Sequence, residues 1–236
     1  MNNSARTRVL GYGRGESANH VGYRLVDRAL SGTSSELTFT RPLERGGDTV
    51  RVTSPFAGEA QALDFLCALA CAESVEAPFA TDELERALAS VELEGRATLR
   101  ERPDGALVID DTYNANPASM QSALRMASEL AVARNARLVV VLGEMKELGE
   151  HAVREHEALG THVEAAKAAL FIGTGGLTEK ATARARALGV RVLDAASAEE
   201  ASMLALREVS AKDVVLVKAS RSVRAEQIVH ALLSSA

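Results

Sequence analysis

Tryptophan is absent from the 236 residues, and aromatic side chains make up only 3% of them. A base-stacking platform needs several exposed rings, so a single-stranded nucleic-acid groove is not expected. Net charge is −5 with both signs mixed along the chain, and no basic stripe is present to track a phosphate backbone. Cysteine is nearly missing too. Cys67 and Cys71, the only two, sit in an apolar stretch of helical period. They read as buried free thiols, with a disulfide or a metal pair as the lesser alternative. No apolar run reaches the ~18 residues of a membrane span. Residues 1–6 are not followed by the apolar core of a secretory signal. The expected compartment is therefore cytoplasmic. The glycine-rich segments 11–15 and 173–176 lack the Gly-x4-Gly-Lys-Ser/Thr spacing of a P-loop. His151 and His156 are five apart and share no helical face, so no metal site is expected from this chain alone.

What is present is 47% hydrophobic residues, mainly Ala, Leu and Val, enough for one or two domains. The pattern changes near Glu94. Before it, strands are expected at 7–12, 37–40 and 50–53, with Gly46-Gly47-Asp48 as a turn. Helices are expected at 58–74 and 81–90, the second capped by Thr81 with Glu83 nearby. After it, strands at 107–111, 138–142, 169–172, 190–193 and 214–218 alternate with helices at 119–130, 152–168, 178–188, 198–209 and 221–233. That rhythm gives an α/β class with a Rossmann-like, mostly parallel sheet over residues 98–236. Residues 1–97 are too few elements for a free-standing domain and look like the back part of a larger one.

The densest chemistry lies at 108–120, Val-Ile-Asp-Asp-Thr-Tyr-Asn-Ala-Asn-Pro-Ala-Ser-Met. Adjacent carboxylates on a strand face opposite ways, so Asp110 and Asp111 have different roles. Tyr113, Asn114 and Asn116 follow where open α/β sheets bind ligands. A polar turn capping a helix is the plainer alternative. Lys218-Ala219-Ser220-Arg221 leaves a strand and enters a helix, a combination that suits an anion. A solvated basic turn is the alternative there.

Four segments together carry a resemblance: Asp110-Asp111-Thr112-Tyr113-Asn114-Ala115-Asn116-Pro117, Leu142-Gly143-Glu144-Met145-Lys146-Glu147-Leu148-Gly149, Leu216-Val217-Lys218-Ala219-Ser220-Arg221 and Glu94-Gly95-Arg96. In order and spacing they resemble the Mur ligases of the MurF type, which add D-alanyl-D-alanine to UDP-N-acetylmuramoyl-tripeptide at the expense of ATP. The likeness runs from Arg8 to Leu233 and is densest from Glu94 onward. It implies that Arg96 touches nucleotide phosphates and Asp111 the ribose. It implies substrate contacts for Tyr113, Asn114, Asn116, Glu144 and Arg221, and catalytic placement of Lys218 and Ser220 beside the incoming dipeptide. Glu144 stands where the family usually has Asp. Around residues 58–65 the family commonly has Gly-x-His-Asn-x-x-Asn-Ala to hold adenine, whereas here Ala60, Gln61 and Asp64 occupy the three polar positions. Gln61 can still read an adenine edge, while Asp64 offers acceptors only.

The resemblance further implies ATP and Mg2+ as cofactors, with the Mg2+ ligands mainly outside this chain. Neither the UDP-sugar domain nor the P-loop of such ligases is among these residues. The expectation is a C-terminal portion that is inactive alone, with a separate N-terminal half as a partner. Two alternatives stay open. One is another amide ligase of the same superfamily. The other is a stand-alone nucleotide- or dipeptide-binding paralogue without catalysis.

Overall fold

The structure, a computed structural model, describes residues 11–14 and 22–234. Contacts divide the chain into two compact units, one ending at Val91 and the other beginning at Glu92.

In the first unit, strands β1 (Gly11–Arg14), β2 (Gly22–Ser31), β3 (Ser34–Thr40) and β4 (Thr49–Ser54) form one sheet in that order. β1 runs parallel to β2 and the rest are antiparallel. Helices α1 (Glu59–Ala72) and α2 (Thr81–Ala89) follow. Tyr23, Leu25, Leu37, Phe39 and Val52 meet Leu66, Leu69 and Leu84 in one core. The expected strand at 7–12 lies mostly outside the described residues. β2 was not expected: a register shift between Leu25 and Asp27 breaks its alternation. The cap of α2 is Ala80 rather than Thr81, and the Glu83 carboxylate accepts from the Ala80 N–H at 2.8 Å. Cys67 is half-buried and Cys71 exposed. α1 turns Ala62, Leu66, Leu69 and Ala70 inward, which leaves Cys71 on the outer face.

The second unit is a six-stranded sheet: β5 (Thr98–Glu101), β6 (Leu107–Asp111), β7 (Leu138–Gly143), β8 (Leu170–Thr174), β9 (Val192–Ala195) and β10 (Val214–Lys218). Their order is β5-β6-β10-β7-β8-β9, and only β5 is antiparallel to its neighbour. Helices α3 (Pro117–Ala133), α4 (Ala152–Ala165), α5 (Thr178–Ala187) and α6 (Ala198–Glu208) fill the connections between parallel strands, and α7 (Glu226–Ser234) follows β10. β7, β8 and β10 are buried along their whole length, as strands covered on both faces must be. Each fully buried Val or Leu there contributes about 1.5–3 kcal/mol of transfer free energy.

Two differences from the sequence expectation bear on the site. The segment 92–97 belongs with the second unit, because the Tyr113 N–H donates to the Gly95 carbonyl at 2.9 Å. The helix expected at 221–233 is broken: Arg221–Val223 is a single 3-10 turn, Arg224 adopts a φ of 61°, and α7 begins only at Glu226.

Candidate functional site

The last strand in sequence, β10, inserts between β6 and β7. The chain therefore brings three loops together at the C-terminal ends of adjacent parallel strands, where ligands bind in open α/β sheets. In this register Lys218 is the cross-strand neighbour of both Asp111 and Leu142.

Lys218 is 2% exposed. Its Nζ lies 2.7 Å from Asp111 Oδ2 and donates to the Asn114 carbonyl at 2.8 Å. Asp111 Oδ1 accepts from the Ala97 N–H at 3.2 Å. Burial holds the Asp111 carboxyl above the ordinary carboxylate range; the Lys218 charge and hydrogen bond oppose this, as does the Ala97 N–H, while Asp110 adds to it. Asp110 has a separate role: its Oδ1 accepts from the Thr112 hydroxyl at 2.7 Å and closes the turn. Adjacent carboxylates thus do divide their work.

Arg96 rides a tight bend. Gly95 and Ala97 on either side have φ of 65° and 55°. A Cβ at Gly95 would come 3.1 Å from the Tyr113 nitrogen. Gly95→Ala is therefore expected to cost about 1–2 kcal/mol, from the left-handed backbone alone, in a urea titration of the second unit. The bend carries the Arg96 guanidinium over the Tyr113 ring, 4.2 Å from its centroid, with Arg221 5.8 Å away. An exposed ring with two cations beside it can hold an anion and a flat group together.

Ser220 is nearly buried and joins two loops. Its Oγ accepts from the Lys146 N–H at 2.9 Å and lies 3.5 Å from the Ala115 carbonyl, while its own N–H donates to the Glu144 carbonyl at 3.1 Å. Gly143 permits this approach, since a Cβ there would meet Ala219 Cβ at 2.6 Å. Glu144 Oε2 accepts from Lys146 Nζ at 2.5 Å.

The two carboxamides are partly committed. Asn114 Oδ1 accepts from the Ala115 N–H at 2.8 Å, and Asn116 Oδ1 caps α3 by accepting from the Ser119 N–H at 2.9 Å. The helix-cap alternative thus describes the Asn116 oxygen. Arg96, Asp111, Tyr113, Asn114, Asn116, Glu144, Lys218, Ser220 and Arg221 all lie in the second unit, whereas Gln61 and Asp64 lie on α1 of the first. Lys218 and Ser220, read from the sequence as catalytic groups, are both buried, Lys218 on Asp111 and the Asn114 carbonyl and Ser220 on the Lys146 N–H. Among the described residues, no group of three or more His, Cys, Asp and Glu side chains could hold a metal ion. No helix of the described residues is long and apolar enough to cross a membrane. Sequence reasoning missed the Ala97 N–H and the Gly95 bend, and of these only Gly95 left a sequence signal, as part of Glu94-Gly95-Arg96.

Comparison with known proteins shows the family. The family described as "Mur ligase, glutamate ligase domain" matches residues 95–221. The UDP-N-acetylmuramoyl-tripeptide--D-alanyl-D-alanine ligase of Mycobacterium leprae is 34% identical over 183 residues, 70% of this chain and 35% of that protein. The ligase of the same name from Escherichia coli is 32% identical over 203 residues, 85% of this chain and 42% of that protein. The chain thus spans well under half the length of these curated relatives. The MurF ligase of Thermotoga maritima, solved in complex with ADP, superposes with a TM-score of 0.75 at 23% identity, over 94% of this chain and 48% of that one. With the family matched across the strands that build the site, and with the relatives carrying one shared name, this chain belongs to the Mur ligase family.

Proposed function

We propose that this chain supplies the dipeptide-receiving part of an ATP-dependent ligase that joins D-alanyl-D-alanine to UDP-N-acetylmuramoyl-tripeptide, in the cytoplasm. The observation that carries the reading is the convergence of the loops after β6, β7 and β10 around the buried Lys218–Asp111 pair, with Arg96, Tyr113 and Arg221 exposed at their rim.

A dipeptide brings an amine and a carboxylate. Glu144 suits the amine and Arg221 the carboxylate, with the Asn114 and Asn116 amides beside them. Arg96 over Tyr113 suits the phosphates of a nucleotide, and Asp111 keeps lone pairs for a ribose hydroxyl beyond its two bonds. When bound, ATP would activate the carboxyl of the tripeptide by phosphorylating it. This chain's residues would hold the amine in line and exclude water, a gain of positioning. Lys218 and Ser220 act through the groups they hold. Among the described residues none make a Mg2+ site, and none of these roles depends on one.

Acyl activation needs a cation-rich phosphate cradle. Two exposed arginines are a small one, which supports inactivity of the chain alone and completion by a separate N-terminal half. Arg96→Ala is expected to weaken ADP binding about tenfold or more, the cost of a hydrogen bond to a charged group, and Tyr113→Ala to weaken it by removing the ring on which Arg96 lies. Calorimetry of ADP with and without these changes checks this. Equal ADP affinity in all three proteins contradicts the nucleotide assignment.

A further inference from the structure

The loop after β7 presents Glu144 and Lys146, and it turns back at Glu147 with a φ of 64°. Its backbone is held at two donors. The Lys146 N–H goes to Ser220 within the site. The Met145 N–H, buried, goes instead to His156 Nε2 at 3.0 Å. His156 is fully buried on α4, and its Nδ1 lies 2.7 Å from the Ala152 carbonyl. A backbone N–H can only donate and a carbonyl can only accept. The ring proton therefore sits on Nδ1, and Nε2 is the acceptor.

Both ring nitrogens are thus used, and the one that leaves the helix reaches the loop. We infer that His156 is a positioning residue: its Nε2 fixes the loop that offers Glu144 and Lys146 to the incoming dipeptide. The inference rests on the reading of Glu144 as a substrate contact. Among the described residues the bond to the Met145 N–H comes from His156, and an apolar replacement leaves that buried donor without an acceptor.

Side-chain geometry supplies the test. The amide oxygen of Gln reaches about as far as Nε2, whereas that of Asn reaches only to Nδ1. In the whole chain, NMR is expected to show the Nδ1-protonated tautomer and a scalar coupling from the Met145 nitrogen to Nε2. His156→Asn is expected to raise Met145 amide exchange and to weaken D-alanyl-D-alanine binding about tenfold each, with ADP affinity unchanged. His156→Gln is expected to recover both. The inference is overturned if the coupling is missing, if Met145 exchange is unchanged in His156→Asn, if Gln and Asn weaken dipeptide binding equally, or if ADP affinity falls in parallel. A wild-type chain that shows the coupling but binds no dipeptide overturns the substrate reading and with it the positioning role, while leaving the hydrogen bond itself in place.

Discussion

Lys218→Met is expected to destabilise the second unit by about 3–5 kcal/mol at neutral pH, the range for breaking a buried ion pair on one side. The replacement fits the volume of the stem, so the loss is electrostatic. It leaves Asp111 with its burial and without the cation 2.7 Å away. The loss should shrink as the pH falls. Burial already holds the Asp111 carboxyl above its ordinary range. The contribution of such a group to stability is fully present below the unfolded value of about 3.9 and is lost as pH rises through the raised one. Without Lys218 the raised value moves higher still, and a protonated Asp111 needs no cation. Lys218→Met with Asp111→Asn should regain much of the loss, because neither change then leaves a lone buried charge. Urea titrations at several pH values measure all of this. A deficit for Lys218→Met that is constant with pH, or not reduced in the double variant, contradicts the pairing.

Glu73→Ala is the second large effect, and it falls on the first unit. Glu73 is fully buried at the end of α1. Its carboxylate accepts from the Tyr23 hydroxyl at 2.7 Å, from Arg41 Nη2 at 3.0 Å and from the Phe79 N–H at 3.1 Å. Arg41 also meets Asp48 at 3.0 Å and the Phe79 carbonyl at 2.7 Å. Burial, then the bond to Glu73, pushes the Tyr23 hydroxyl well above the usual tyrosine range. Glu73→Ala removes the buried charge partner of Arg41, leaves it only the half-exposed Asp48 carboxylate, and should cost about 3–5 kcal/mol. Tyr23→Phe removes one bond to a charged acceptor and should cost about 1.5–3 kcal/mol. Amide exchange of β2, β3 and β4 measures both. A Glu73→Ala loss no larger than that of Tyr23→Phe would show that the network does not act as a unit.

The parallel sheet was legible because β6, β7, β8 and β10 are apolar runs closed by turn signals and separated by amphipathic helices. β2 was not, since its bulge puts Asp27 where a strict alternation asks for an apolar residue. β5 is a short polar edge strand, Thr-Leu-Arg-Glu, and carries no periodic signal. The break before α7 depends on a positive φ at Arg224, which nothing in its side chain announces. At the site, the residue types were legible and their partners were not. Lys218 reaches the Asn114 carbonyl across 104 positions of sequence. That contact exists only because β10 returns between β6 and β7, and strand order is not written in local periodicity. His156 was weighed only as a metal ligand, since its partner is a backbone N–H in a loop 11 residues earlier.

The central claim is that these three loop ends receive a dipeptide. Titrating the 15N-labelled chain with D-alanyl-D-alanine, and separately with glutamate, tests it most directly. The expected result is that D-alanyl-D-alanine shifts the amides of Tyr113, Asn114, Glu144, Lys146, Ser220 and Arg221 in one saturating process, and that glutamate does not. Shifts that appear only with glutamate, or that D-alanyl-D-alanine produces only away from the ends of β6, β7 and β10, would contradict it.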